Sequence, residues 1–122
     1  MYLLDSSVAI ELLTAGKRSE AALSFLGHAD VALTSFTVHE ILVGLKTGTE
    51  PWVAFAGMLP VLTYDRRCAE ISARIDKELT KKGHKVGLID ILIASVAIHN
   101  GLPLVTFDKS FSRIRDLDVK IL

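Results

Sequence analysis

The sequence predicts an α/β protein, a three-layer α/β/α sandwich with a mainly parallel central sheet. Short apolar runs of three or four residues alternate along the chain with longer segments whose apolar residues recur at helical spacing. Helix-capping or turn residues bound most of these runs, as expected where strands feed crossover helices. We find no internal repeat, low-complexity segment or linker, so residues 1–122 are expected to form one domain.

The composition restricts the class of protein. Half of the 122 residues are hydrophobic, but no apolar run approaches the roughly 20 residues that span a bilayer. A single cysteine, Cys68, excludes an intramolecular disulfide, and no signal peptide is evident, so we expect a cytoplasmic protein. Fourteen basic and fourteen acidic residues balance, so any binding of nucleic acid has to come from local charged patches.

The first half of the chain is expected to hold two strands and four helices. Serine, threonine and proline suit helix starts, and Thr37-x-x-Glu40 matches a capping box. In order, we expect a strand at 2–4, a helix capped by Ser6 or Ser7, a helix over 19–28, a strand at 31–33, a helix starting at Ser35 or Thr37, and a helix led by Pro51 that carries Trp52, Phe55 and Met58.

The second half is expected to hold three strands and two long helices. Asp65 is placed to cap the first of these helices, and Gly83 and Asn100-Gly101 are placed to stop the two. In order, we expect an edge strand at 61–64, a helix to Lys82, a helix from about Gly87, a strand at 104–106, a helical turn carrying Phe111 and Ile114, and a strand at 119–122.

Four acidic residues are predicted to meet at one edge of this sheet. Asp5 and Asp108 follow strands, and Glu40 lies early in the helix that leaves the second strand. Asp90 starts a helix that runs antiparallel to strand 104–106, so its first turn lies near the end of that strand. Because sites in open α/β sheets form beyond the carboxyl ends of the strands, we expect these four side chains to lie together.

Clustered carboxylates repel one another, and a divalent cation removes the conflict. The candidate ligands are all oxygen atoms, which favours Mg²⁺ or Mn²⁺ over Zn²⁺. Such an ion can polarise a phosphoryl oxygen and activate water for in-line attack. The Thr106 hydroxyl, near Asp108, could orient that water.

Each of these residues also has an ordinary explanation. Asp90 suits a helix N-terminus, Glu40 could be the return arm of the capping box, and Asp5 and Asp108 could be turn or cap residues. Thr106 could be no more than a strand-favouring residue. The agreement of four acids on one edge favours a site.

Four segments of the chain resemble PIN domains, in particular the toxin ribonucleases of VapBC-type toxin–antitoxin pairs. The segments are LLDSSVAIELL, LTSFTVHEILVGL, GLIDILIASVAI and LVTFDKSF. In the family they hold four acids and a hydroxyl residue, which match Asp5, Glu40, Asp90, Asp108 and Thr106. The chain departs from the family where Ser6 and Ser7 replace the commoner Thr or Asn, and where Phe107 replaces Asn.

The resemblance implies an endoribonuclease that depends on Mg²⁺ or Mn²⁺ and leaves a 5′-phosphate. It also implies a homodimer, silenced by a cognate antitoxin whose tail covers the active-site groove and which itself binds operator DNA. Two alternatives stay open. One is a non-catalytic or RNA-processing PIN-like module, and the other is an aspartate-nucleophile phosphatase, which needs a second aspartate where this chain has Ser7.

An acidic pocket repels RNA, so cations on its rim have to offset the repulsion. We expect Lys85 and Lys109 to contact the substrate, because they lie near Asp90 and Asp108 in sequence. Ser7 is a further candidate contact, and it could instead support Asp5 or cap the first helix. Solvated surface charge is the alternative for each. The wider set of candidate cations is Lys17, Arg18, Lys46, Lys81, Lys82, His84, Lys85, Lys109 and Arg113.

Overall fold

Five strands form one parallel sheet in the order β3-β2-β1-β4-β5. The computed structural model describes residues 1–45, 50–57 and 59–122, without the side chains of Pro51 and Val53. The predicted contributions of Lys46 and Met58 lie outside the described residues, whereas the helix predicted to be led by Pro51 begins at Glu50. The strands are β1 (Tyr2–Leu4), β2 (Val31–Thr34), β3 (Val61–Leu62), β4 (Leu104–Thr106) and β5 (Val119–Ile121).

Helices cover both faces of the sheet, which confirms the predicted three-layer architecture. They are α1 (Ser6–Thr14), α2 (Ser19–Leu26), α3 (Ser35–Gly44), α4 (Glu50–Ala56), α5 (Arg66–Lys82) and α6 (Leu88–Asn100), with a 3₁₀ turn at Lys109–Arg113. Successive strand residues point to opposite faces, so Leu3 joins a core with α5 and α6, while Leu4 joins a core with α1 and α2. Both leucines are fully buried.

The pairing register aligns the ends of the three central strands. Leu4 pairs with Val105 and Leu3 with Ala32, so the carboxyl ends of β1, β2 and β4 lie side by side. Strand β3 pairs only with β2 and therefore forms one edge of the sheet, as predicted. The residues that follow these strands consequently meet at a common edge.

Helix α3 begins at Ser35, one of its two predicted starts, but the caps of α1 and α3 differ from the prediction. The N-cap of α1 is Asp5, whose side chain makes no capping hydrogen bond, so neither Ser6 nor Ser7 caps this helix. The N-cap of α3 is Thr34, whose hydroxyl accepts a hydrogen bond from the backbone N–H of Thr37 at 3.0 Å. The predicted capping box is therefore wrong, because Thr37 is the donor at this cap rather than its acceptor.

Other predicted ends agree with the structure to within one or two residues. Asp65 caps α5 by accepting from the backbone N–H of Cys68, and Gly83 and Gly101 end α5 and α6 in the left-handed conformation. Strand β3 ends at Leu62 and helix α2 at Leu26, each two residues before the predicted end. Within the described ranges, no helix has the length and hydropathy needed to cross a membrane.

Replacing Gly101 tests the left-handed end of α6. Gly101 has a φ of 63°, and a Cβ there would meet no atom within 4 Å, so Gly101→Ala costs backbone strain alone. We expect a loss of about 1 kcal/mol in the free energy of unfolding, measured by urea denaturation.

Gly44→Ala is the matched control for this substitution. A Cβ at Gly44 would also meet open space, but Gly44 ends α3 without a positive φ. We expect Gly44→Ala to be neutral or to stabilise the protein by about 0.5 kcal/mol, because alanine restricts the unfolded chain. Equal losses in the two variants would contradict the proposed origin of the strain.

Candidate active site

Asp5 is the most deeply buried acid of the cluster, with 3% of its surface exposed. It directly follows β1, and its backbone N–H donates to the carbonyl of Val105 at 3.0 Å. The hydroxyls of Thr106 and Ser7 both donate to Asp5 Oδ2, at 2.7 and 2.9 Å. Each hydroxyl has a single proton, and both hydroxyls donate that proton to Oδ2. The other oxygen, Oδ1, has only a 3.4 Å contact with the Ser6 hydroxyl. Oδ1 is therefore the oxygen available to a ligand.

The same two hydroxyls hold the end of β4 against Asp5. Thr106 accepts a hydrogen bond from the backbone N–H of Asp108 at 2.9 Å, and Ser7 accepts one from Phe107 at 3.2 Å. The Thr106 side chain is fully buried and its proton is already donated. These contacts make Thr106 and Ser7 positioning residues for Asp5. The further roles expected from the sequence, orienting water for Thr106 and contacting substrate for Ser7, stay predictions.

Glu40 is tied to the site by Ser6. It is the sixth residue of α3, so it lies beyond the first turn of that helix and is half-buried. Its Oε1 accepts a hydrogen bond from the Ser6 hydroxyl at 3.0 Å, which links α3 to the start of α1. Because Thr34 caps the helix, Glu40 has no capping role that would explain its position.

The pKa of Asp90 responds to the other three acids of the cluster. It is the third residue of α6, and the N-cap of that helix is Gly87, which has no side chain to shield it. Burial, followed by repulsion from Asp5, Asp108 and Glu40, raises the pKa of Asp90 from 3.8 to about 6. All three other acids therefore lie close enough to act on Asp90, so the structure brings the four predicted residues together.

Asp108 is the exposed member of the cluster. Its Oδ1 accepts a hydrogen bond from the backbone N–H of Ser110 at 2.9 Å, and this bond caps the 3₁₀ turn. Among the described residues, its Oδ2 has no hydrogen-bond partner. Asp108 thus combines the turn role that was considered as an alternative with one oxygen that is free for a ligand.

The donor set of this cluster fits a divalent cation that keeps several of its waters. In residues 1–45, 50–57 and 59–122, no three of the four acids have carboxylate oxygens within 4.8 Å of one another. Mg²⁺ binds through one or two carboxylates together with water, so this wider spacing suits it. The fit rests on the all-oxygen donors, the free oxygens of Asp5 and Asp108, and the raised pKa of Asp90, which a cation would lower.

A second group of potential ligands lies elsewhere and has an ordinary structural explanation. Asp65, Cys68 and His99 place one donor atom each within 4.8 Å of the others. Asp65 caps α5, and its hydrogen bond from the Cys68 backbone lowers the pKa of its carboxyl. Burial raises the pKa of the Cys68 thiol, which disfavours the thiolate that a metal needs. Asp65 is therefore a helix cap, as the sequence indicated.

The predicted basic residues near the site are exposed. Among the described residues, the ammonium groups of Lys85 and Lys109 have neither a hydrogen-bond nor an ion-pair partner. The carbonyl of Lys85 accepts a hydrogen bond from Arg113 Nη1 at 2.6 Å, which joins the loop before α6 to the 3₁₀ turn. Sequence reasoning missed this link and the bond from Ser6 to Glu40, since neither has a local sequence signal.

Comparison with known proteins gives a consistent result over the whole chain. The PIN domain family matches residues 2–117. A curated relative, the tRNA(fMet)-specific endonuclease VapC of Salmonella typhimurium, is 30% identical over 102 residues, which cover 78% of this chain and 77% of the relative.

Solved structures share the fold across nearly the full length. A DNA-bound VapBC complex from Salmonella typhimurium has a chain with a TM-score of 0.82 and 26% identity, covering 98% of this chain and 96% of that chain. VapBC-5 from Mycobacterium tuberculosis, a member of the VapBC family of toxin–antitoxin systems, has a chain with a TM-score of 0.73 and 29% identity, covering 99% and 96%.

Neutralising Asp90 should stabilise the protein at neutral pH when no metal is present. The pKa of Asp90 in the folded protein, about 6, lies above its usual value of 3.8, so the folded state holds this proton more tightly. That contribution to stability is complete below pH 3.8 and is lost as the pH rises through about 6. In EDTA at pH 7.5 we expect Asp90→Asn to raise the Tm by about 3 °C or more.

The pH dependence of this gain provides its control. The difference in Tm between Asp90→Asn and the parent protein should vanish by about pH 4, where Asp90 is protonated in the folded state. Asp76→Asn changes the net charge equally on the exposed face of α5 and should show no such profile. A gain that persists at pH 4 would contradict repulsion as its cause.

Removing the Thr106 hydroxyl should weaken metal binding without removing a ligand. Thr106→Val keeps the volume but deletes the donor to Asp5 Oδ2 and the acceptor for the backbone of Asp108. We expect the apparent Kd for Mn²⁺ to rise about 10- to 100-fold, measured from the dependence of Tm on Mn²⁺ concentration. Thr106→Ser retains the hydroxyl and should bind nearly as the parent does, and equal affinities in all three proteins would exclude the positioning role.

Proposed function

The chain belongs to the PIN-domain family, and on that premise we propose that it is a metal-dependent endoribonuclease that hydrolyses RNA phosphodiester bonds. The observation that carries the proposal is the placement of four acids from separate elements at one edge of the sheet, where among the described residues the close hydrogen bonds leave Asp5 Oδ1 and Asp108 Oδ2 available to a ligand. Such a charge cluster destabilises a metal-free protein, so a purely structural role does not account for it. The name of the curated relative, an endonuclease specific for tRNA, supports RNA as the substrate.

We assign Asp5, Glu40, Asp90 and Asp108 as the residues that hold Mg²⁺ or Mn²⁺. When bound, the cation would polarise the phosphoryl group and activate water for in-line attack. Thr106 and Ser7 orient Asp5, and Ser6 orients Glu40, through the hydrogen bonds described above. Burial of Asp5 and partial burial of Asp90 keep bulk water away from the charges and so strengthen their pull on a cation.

We further propose that the protein is the toxin of a type II toxin–antitoxin pair and acts in the cytoplasm as a single-domain homodimer. Support comes from the solved relatives, one of which is described as a member of a family of toxin–antitoxin systems and another as a DNA-bound complex. In this proposal the cognate antitoxin is the direct protein partner, and DNA is contacted through the antitoxin. Lys85 and Lys109 remain candidate contacts for the RNA backbone.

The two alternatives are less well supported. An aspartate-nucleophile phosphatase needs a second carboxylate two residues after the first, whereas Ser7 stands there and donates its proton to Asp5. A non-catalytic PIN-like module has no use for a complete set of acids in which burial, and then repulsion from the other three, raises the pKa of Asp90. The ribonuclease accounts for both observations.

The test is cleavage of a structured RNA by the purified, antitoxin-free chain. A tRNA(fMet) transcript is a suitable substrate because the curated relative carries that name. We expect cutting that requires Mg²⁺ or Mn²⁺ and stops in EDTA, and parallel titrations with the two ions will show which supports the higher rate. Asp5→Asn and Asp90→Asn should each lower the rate by at least about 100-fold, since removal of one carboxylate disrupts the ion site.

Asp65→Asn is the matched control for these variants. Asp65 also follows a strand and caps a helix, but it lies with Cys68 and His99 rather than in the acidic cluster. Asparagine is an equally good N-cap, so this variant should fold and should cut RNA at close to the parent rate. Cleavage that survives both Asp5→Asn and Asp90→Asn would overturn the assignment of the site.

A further inference from the structure

We propose that Arg18 binds a backbone phosphate of the substrate beside the cleaved bond, and that Phe107 and Glu11 hold its guanidinium ready for this contact. The inference rests on the proposed ribonuclease function and adds a substrate-binding residue to it. Arg18 lies just before α2, far in sequence from three of the four acids of the site.

The first observation is that Arg18 packs on Phe107, which lies between the site residues Thr106 and Asp108. Its guanidinium carbon lies 4.0 Å from the centre of the Phe107 ring, within the range of a cation–π interaction. Phe107 stands between Thr106 and Asp108, and its backbone N–H donates to Ser7. The hydrogen bonds that orient Asp5 therefore also fix the platform under the guanidinium.

The second observation is that Glu11 restrains the loop that carries Arg18. Glu11 Oε1 accepts a hydrogen bond from the backbone N–H of Arg18 at 2.6 Å and lies 3.9 Å from its side-chain Nε. Gly16 makes room for this carboxylate, because a Cβ there would lie 2.5 Å from the Glu11 carboxyl group. The backbone and the Nε edge of Arg18 are thus both engaged.

The third observation is that the outer edge of the guanidinium is unused. Among the described residues, the two terminal amino groups of Arg18 have no hydrogen-bond or ion-pair partner, and its side chain is 56% exposed. A guanidinium offers two parallel N–H donors that match two phosphate oxygens. Because the ring and the loop already order the side chain, little conformational entropy remains to be lost on binding.

The charge of the site indicates what this edge would bind. Four carboxylates repel an RNA strand, and one divalent cation offsets only part of their charge. Phe107 stands between Thr106 and Asp108, so the guanidinium that rests on its ring lies beside the segment that carries these two site residues. Arg18 is therefore suited to a phosphate that flanks the cleaved one, where it contributes affinity without taking part in the chemistry.

The experiment measures RNA binding separately from cleavage. In the Asp90→Asn background, with Mg²⁺ present, fluorescence anisotropy gives the Kd for a labelled tRNA(fMet) transcript at several salt concentrations. We expect Arg18→Met to weaken binding about 5- to 10-fold and to lower the slope of log Kd against log salt by about one. Arg18→Lys should restore the slope but only part of the affinity, because lysine keeps the charge and loses the planar fork.

Arg67→Met provides the control for net charge. Arg67 is an exposed arginine of α5 that pairs with Glu70 on the same helix, so its loss changes the global charge equally without touching the site. Phe107→Leu should reproduce part of the affinity loss while leaving the arginine in place. A Kd and a salt slope that are the same in Arg18→Met and Arg67→Met would overturn the proposal.

Three further outcomes separate this proposal from the function on which it rests. If Arg18→Met leaves RNA binding unchanged but weakens binding of the cognate antitoxin, the residue belongs to the protein interface and the phosphate assignment is wrong. If the parent protein neither binds nor cuts the transcript with Mg²⁺ or Mn²⁺ present, the ribonuclease proposal fails together with this one. RNA binding and cleavage that are both insensitive to Arg18 would remove the phosphate contact alone.

Discussion

The hydrogen bond from Thr106 to Asp5, 2.7 Å long and fully buried, is the contact on which the rest of the site depends. It joins the ends of β1 and β4, and the same hydroxyl accepts from the backbone of Asp108. A buried carboxylate without hydrogen-bond donors is costly, so this bond and its counterpart from Ser7 offset the cost of burying the Asp5 side chain at the sheet edge. Because both hydroxyls donate to Oδ2, the other oxygen of Asp5 is available to bind a ligand.

Around Asp5, repulsion among the four carboxylates opposes the stabilisation that the hydrophobic cores provide. The unfavourable free energy is seen at Asp90, because burial and the three neighbouring acids raise its pKa to about 6. The two hydrophobic cores offset that cost, because the last residues of the strands that lead to the site, Leu4, Thr34 and Thr106, are fully buried. The hydrophobic cores thus supply the stability of the fold, and the acidic edge of the sheet is suited to bind a cation.

Most of the fold was predictable because its signals are local. The alternation of strands and helices, the Asp65 cap and the glycine stops at 83 and 101 each depend on a few neighbouring residues. The capping box at Thr37 was wrongly predicted because Thr34 and Thr37 both suit a cap, and only the three-dimensional path of β2 into the helix selects Thr34. Ser6 was mispredicted for a similar reason, since its partner Glu40 lies 34 residues away.

The sequence by itself determined the architecture and the identity of the four acids, because parallel strands have to deliver the residues at their carboxyl ends to one edge. Only the tertiary structure decided how those acids are used. It showed that Thr106 and Ser7 both donate hydrogen bonds to the same oxygen of Asp5. It also showed that Asp108 caps a 3₁₀ turn with one oxygen and that the Arg18 guanidinium packs on the Phe107 ring. These are contacts between residues far apart in the chain, whose geometry depends on packing that no local pattern encodes.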